Sequence, residues 1–142
     1  MKNSSITTAN ITVLKRRAEF LLAAKSGFKF IKPAMVVQAR LRGNDETSPS
    51  SIRIGFTATR KLGNAVVRNR AKRRLRSAAA KIAPELGLAG CDYVFIGREA
   101  TCRGTFDDLI RDMKHALKRL SEMMQGSGAR DQESGKQSFP LS

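Results

Sequence analysis

The sequence predicts one domain built on a single β-sheet with helices packed against it, in the order helix, two or three strands, basic helix, strand, helix. Three observations lead there. Stretches of period two and of period 3.6 are interleaved along the chain. The 142 residues suit one domain with ragged ends, and 41% of them are hydrophobic, enough for one modest core. The connections are mixed, unlike the regular strand–helix alternation of a doubly wound sheet.

Each element has its own signal. Residues 1–10 are polar and are expected to be flexible. From Val13 to Lys25 the pattern is helical, with Leu14, Ala18, Leu21 and Leu22 within about 100° of one another on a wheel. Gly27 follows as a stop. Phe20 lies about 120° from the centre of that stripe, beside Val13 and Ala24, so the helix has a second apolar side. Residues 34–41 read as a strand and 43–51 as a loop. In 52–59, Ile52, Ile54, Phe56 and Ala58 share one face, and Arg53, Gly55, Thr57 and Thr59 share the other. One sheet face is therefore expected to be covered and one accessible.

Asn64 is a fitting N-cap for a helix running to about Ile82, ended by Pro84 and Gly87. Residues 91–97 read as a buried strand. Thr105 and Asp108 suggest a capping box. The helix they open carries Phe106, Leu109, Ile110, Met113, Leu117 and Leu120 on one face. His115, the single histidine, points away from that face and reads as a surface residue. From Gly126 on, Gly, Ser, Gln and Pro dominate, so the domain is expected over 11–124 and a disordered tail over 125–142.

The charge is strong and uneven. The net charge is +15; residues 1–84 hold 19 Lys+Arg against 3 Asp+Glu, and residues 85–142 hold 8 against 9. A polyanionic partner is expected on the first part of the fold. No apolar run approaches the roughly 20 residues that span a bilayer. The N-terminus, MKNSSITTANITV, lacks the apolar centre of a signal peptide. The protein is expected to be cytoplasmic and to have no membrane partner; a basic membrane-surface helix is the weaker rival. Cys91 and Cys102 are the only cysteines and are expected to be unpaired thiols. They are too few for a four-ligand zinc site, and no cluster of metal ligands or paired carboxylates suggests a protein-borne nuclease centre.

Residues 60–76, RKLGNAVVRNRAKRRLR, concentrate the chemistry. They hold Arg60, Lys61, Arg68, Arg70, Lys72, Arg73, Arg74 and Arg76 with no acid among them. On a wheel, Val67, Ala71, Leu75, Ala78, Ala79 and Ile82 form the buried face. Arg68, Lys72 and Arg76 run down one side, and Arg70, Arg73 and Arg74 take the far side and the other flank. A merely solvated helix face would mix signs. Here like charges stand four apart, each pair destabilising an isolated helix by a few tenths of a kcal/mol, so a polyanion is expected to supply the countercharge. Guanidinium groups fork onto phosphates or stack on bases. Asn69 adds a donor and an acceptor suited to a base edge or a 2′-hydroxyl. The Gly63-Asn64 turn lets backbone approach a nucleic acid and presents N–H groups at the helix start.

The run from Lys61 to Arg70, continuing through Lys72-Arg73-Arg74-Leu75-Arg76, resembles the signature of the bacterial ribonuclease P protein family. Residues 14–20 (LKRRAEF), 53–61 (RIGFTATRK), 91–98 (CDYVFIGR) and the final helix fit in order and spacing, so the likeness covers about 14–120. The resemblance implies an α+β fold: an α-β sandwich with one mostly antiparallel four-stranded sheet and three helices, ordered α-β-β-β-α-β-α. It further implies a left-handed β-α-β crossover through the basic helix, against the usual right-handed preference.

The resemblance also implies a role: subunit of a ribonucleoprotein that removes the 5′ leader of precursor tRNA by hydrolysing one phosphodiester. The catalytic RNA subunit would carry the active site and bind Mg2+, the protein itself holding no metal or other cofactor, with one copy of the protein per RNA. Arg60, Lys61, Asn64, Arg68, Asn69, Arg70, Lys72, Arg73, Arg74 and Arg76 would hold the ribonuclease P RNA. Phe20, Arg53, Thr57 and Thr59, with Lys15, Arg16 and Arg17 nearby, would form a cleft for the single-stranded leader.

Phe20 then has two readings: a ring stacking on an unpaired base, or a ring covering a gap in the core. The sequence departs from the family in this cleft, having Ala24 and Gln38 where aromatics are frequent. Leader stacking is therefore expected to be weaker or to be shifted to Phe28 or Phe30. The competing classes are a ribosomal or chaperone-like RNA-binding protein on the same scaffold, a nucleoid-type DNA-binding protein, and a protein-only nuclease.

Overall fold

The structure, a computed structural model, describes residues 11–25, 28–42 and 51–125. The expected flexible N-terminus, the tail from Gly126, Gly27 and nearly all of the 43–51 loop lie outside these residues, whereas Gln125, expected to open the tail, is the last residue of the final helix. Five strands, β1 (Ile11–Val13), β2 (Phe28–Ile31), β3 (Met35–Leu41), β4 (Ile52–Ala58) and β5 (Cys91–Gly97), form one sheet in the order β1-β4-β5-β3-β2. The helices are α1 (Arg17–Lys25), α2 (Ala65–Leu86), α3 (Glu99–Arg103) and α4 (Phe106–Gln125).

The sheet is evenly mixed. β1–β4 and β4–β5 are parallel, and β2–β3 and β3–β5 are antiparallel. The α+β class holds, with five strands in place of four and fewer antiparallel ladders than expected. Neighbouring parallel strands β4 and β5 need a crossover, and the basic helix α2 supplies it.

The extra strand explains a misplaced helix start. Ile11-Thr12-Val13 is a β-branched run, stiff at χ1 and suited to a pleated surface. It pairs with Ile52-Arg53-Ile54, and the Leu14 N–H donates to the Ile54 carbonyl at 2.8 Å. The helix begins only after Arg16, whose backbone N–H donates to the Glu19 carboxylate at 3.3 Å, half of a capping box. Helix α2 runs past its expected end to Leu86, with Pro84 inside its last turns and Gly87 N–H closing onto the Ala83 carbonyl. The expected strand at 91–97 and the Thr105 cap, which accepts from Asp108 N–H at 3.0 Å, are present. The short helix α3 had no periodic signal.

The main core lies between one sheet face and helices α2 and α4. Met35, Val37, Ile54, Tyr93 and Phe95 meet Leu75 and Ile82 from α2 and Leu109, Met113 and Leu117 from α4. The buried faces of both helices follow the expected stripes, except that Val67, Phe106 and Ile110 are only half-buried and Ala83, Ala116 and Met124 join the core. On the opposite sheet face α1 buries little. Its apolar cluster is Leu14, Ala23 and Val94, with Phe20 and Ile96 against it. Of the expected stripe only Leu14, which precedes the helix, is buried: Ala18 is exposed, Leu21 and Leu22 are 52% and 45% exposed, and the small Ala23 faces the sheet. Both cysteines are free thiols. No helix among the described residues is long and apolar enough to cross a membrane.

Candidate RNA interface

The basic helix starts from a rigid turn. Residues Arg60–Leu62 form one 3-10 turn, and Gly63 follows at φ 143°, a conformation that L side chains rarely adopt. The Asn64 side chain accepts from Val67 N–H at 3.0 Å and caps α2. With Ala71, Leu75 and Ala78 buried against the sheet, the polar face of the helix is turned outward. Val66, Asn69, Lys72, Arg73 and Arg76 line a shallow depression of about 430 Å³ there. Arg60, Lys61 and Arg70 are exposed, and Arg68 is half-buried. Arg76 also reaches back over the Phe56 ring, 5.3 Å from its centroid.

Arg74 is placed differently. Its guanidinium donates to the Thr101 carbonyl at 2.7 Å and to the Gly104 carbonyl at 2.9 Å, tying α2 to the end of α3. Among the ten residues expected on this surface, it is the one whose donors are turned toward the protein's own backbone.

A second concavity lies between α1 and the sheet face that α1 covers only in part. It measures about 400 Å³, and Lys15, Arg17, Phe20 and Thr57 are in its wall together with Leu21, Gln38 and Val94. Phe20 is half-buried, with one part of its ring on Gly55: a Cβ there would stand 2.6 Å from Phe20 Cε1. Both readings of Phe20 thus apply in part, since its ring covers a gap in the smaller cluster and also borders the cleft. Arg16 is exposed outside the cleft wall. Thr59 lines a separate depression of about 600 Å³ with Lys61, Arg98 and Arg103. Phe28 and Phe30 pack against the main core on the far side of the sheet, with Phe30 edge-on to His115 at 5.3 Å. They do not reach the cleft.

Comparison with known proteins decides the family. The Ribonuclease P family model matches residues 9–121. The chain belongs to the ribonuclease P protein family. It is 46% identical over 118 residues to the ribonuclease P protein component of Ruegeria pomeroyi, covering 82% of this chain and 92% of that one. It is 48% identical over 106 residues to that of Gluconacetobacter diazotrophicus, covering 75% and 88%. The RNase P protein from Thermotoga maritima superposes with a TM-score of 0.62 at 30% identity, over 75% of this chain and 94% of that one. A member of the ribonuclease P protein family is a subunit of ribonuclease P and acts in tRNA processing.

For this ribonuclease P family member, sequence reasoning missed one feature beside the cleft. Arg53, expected to face the leader, is committed to the protein. It forks onto both Asp92 oxygens at 2.8 and 2.9 Å and donates to Glu19 at 3.1 Å. Asp92 is fully buried and also accepts from Arg40 at 3.0 Å and Arg42 at 2.6 Å. Burial alone would raise the Asp92 pKa, but hydrogen bonds and charge from Arg53 and Arg42 outweigh it and hold the carboxyl below the usual carboxylate range. An Asp inside an otherwise apolar strand, CDYVFIG, was the available signal: a buried carboxylate demands cationic partners. Arg98 follows the strand: its backbone N–H donates to Thr101 Oγ1 at 2.8 Å and its guanidinium donates to the Lys32 carbonyl at 2.9 Å. Among the described residues, no three His, Cys, Asp or Glu side chains are grouped to hold a metal ion.

Proposed function

We propose that this chain binds the catalytic RNA subunit of ribonuclease P through α2 and its preceding turn, and the single-stranded 5′ leader of precursor tRNA through the α1–sheet cleft. Phosphodiester hydrolysis and the Mg2+ it uses belong to the RNA subunit. One copy of the protein serves each RNA. The observation that carries the reading is the outward face of α2, where Asn69, Lys72, Arg73 and Arg76 surround one depression with no acid in the run 60–76. Such a face gains countercharge and hydrogen bonds together when phosphates dock on it.

The separation of the two surfaces supports a division of labour. The α2 face is dense in guanidinium groups and suits a structured phosphate backbone. The cleft combines an aromatic ring, Phe20, with Lys15 and Arg17, the combination that single-stranded RNA uses for stacking and charge.

Reconstitution tests the proposal. The protein is mixed with a bacterial ribonuclease P RNA and precursor tRNA at low Mg2+. Cleavage faster than with RNA alone is expected; no acceleration overturns the subunit role in leader removal. Cleavage by protein alone overturns the assignment of chemistry to RNA. With about six phosphates neutralised, log K for RNA falls against log salt with a slope of roughly −4 to −5; a slope near zero removes the electrostatic basis.

A further inference from the structure

We infer that Arg53 and Glu19 are positioning residues that latch α1 over the sheet and so set the width of the leader cleft. The inference rests on the proposed leader-binding role of that cleft. The argument begins with how weakly α1 is otherwise held. It buries one side chain, Ala23, and its cluster on this face adds only Leu14, Val94 and partly buried Phe20 and Ile96. So small an apolar contact leaves the tilt and height of a nine-residue helix poorly determined.

The charged network supplies what packing lacks. Arg53 and Asp92 are register partners across β4–β5, and Arg40 and Asp92 are partners across β3–β5. Three adjacent strands thus fix the Asp92 carboxylate. Arg53 forks onto it and turns its remaining nitrogen to Glu19 on the first turn of α1, at 3.1 Å. The other Glu19 oxygen accepts the Arg16 N–H that opens the helix. One guanidinium therefore connects the rigid centre of the sheet to the start of the helix bearing Arg17, Phe20 and Leu21, all in the cleft wall. A guanidinium presents a bidentate fork to Asp92 and a further donor to Glu19 in one rigid plane, a geometry that a compact ammonium does not match.

Substitution of Glu19 separates this role from simple charge. Glu19→Gln removes an acid beside a site for a polyanion. If Arg53 acts by its charge on the leader, loss of the neighbouring acid tightens precursor binding. If it acts as a latch, α1 loses its tether and precursor binding weakens. The measurement is the affinity of the reconstituted holoenzyme for precursor tRNA and for mature tRNA, with the affinity of the protein for the RNA subunit alone as control.

The expected result for Glu19→Gln is a fall in precursor-over-mature preference on the order of threefold to tenfold, the range for one half-exposed charge-assisted contact. RNA-subunit affinity is unchanged. Arg53→Lys, which keeps the charge and loses the fork, is expected to give the same fall. An unchanged or increased preference with Glu19→Gln overturns the latch, as does a parallel loss of RNA-subunit affinity, which would mark general unfolding. If the unsubstituted holoenzyme shows no preference for precursor, the leader-cleft reading itself fails, an outcome distinct from failure of the latch.

Discussion

Arg53 and Asp92 face each other across the β4–β5 ladder, and the guanidinium forks onto both carboxylate oxygens at 2.8 and 2.9 Å. With Arg40 and Arg42 on the same carboxylate, Asp92 is shared by three arginines at the centre of the sheet. Removing one partner from such a buried network leaves charge uncompensated. Asp92→Asn is expected to lower unfolding free energy by roughly 3–5 kcal/mol, measured by urea denaturation. The pH dependence has a definite sign. The folded-state pKa lies below the unfolded value, so the contribution is complete above about pH 4 and is lost as acid carries pH down through the folded pKa. The stability gap between the native protein and Asp92→Asn should be flat from neutral pH to about 5 and narrow below 4.

Neighbouring arginines on α2 should behave differently. Arg73→Ala, on an exposed side chain in the α2 depression, is expected to weaken RNA-subunit binding and reduce the magnitude of the salt slope by about one, with stability unchanged within about 0.5 kcal/mol. Arg74→Ala abandons two backbone carbonyls, Thr101 and Gly104. It should cost roughly 1–3 kcal/mol of stability and leave the salt slope nearly intact. Equal slope changes for both variants would place Arg74 on the RNA.

Gly55 admits the Phe20 ring. A methyl group at 55 would lie 2.6 Å from Phe20 Cε1 and Cζ, so Gly55→Ala must move the ring or the helix. Overpacking of this kind costs roughly 1–3 kcal/mol. The expected outcome is weaker binding of precursor tRNA with little change for mature tRNA, as for Phe20→Ala. Retention of full precursor affinity in Gly55→Ala would show that the seat of the ring has no part in leader binding.

The two thiols should differ in reactivity. Burial pushes the Cys91 pKa up to about 12, and its sulfur sits 4.0 Å from that of Met124 in the core. Cys102 is half-buried near the surface. Thiolate is the reactive form, so a thiol reagent at pH 8 should titrate one fast group, abolished by Cys102→Ser, with the second appearing only on unfolding. Two equally fast groups would contradict the buried position of Cys91.

The parts legible in the sequence are those with a strong local pattern. The buried faces of α2 and α4, the caps at Asn64 and Thr105 and the alternation of β4 follow from period and cap chemistry alone. Short elements were not legible. Ile11–Val13 and Glu99–Arg103 are too brief to show a period, and each is defined by what it pairs with or is tied to. The unexpected buried face of α1 has the same origin: Leu21 and Leu22 outnumber Ala23 in hydrophobicity, yet the side that fits closely over Val94 carries the smaller residue.

The basic helix, its acid-free run and the family signature are legible in the amino-acid order alone, because they depend on residue identity and on spacing along one continuous segment. Which basic residues remain available to a partner depends on the folded packing. Arg53, Arg73 and Arg74 are identical as side chains, and chain position alone does not distinguish their roles. Arg73 faces outward, Arg74 caps backbone carbonyls about 30 residues further along the chain, and Arg53 is spent on Asp92 and Glu19. The physical reason is that a guanidinium takes whichever acceptors the fold brings within reach, and those acceptors are distant in sequence.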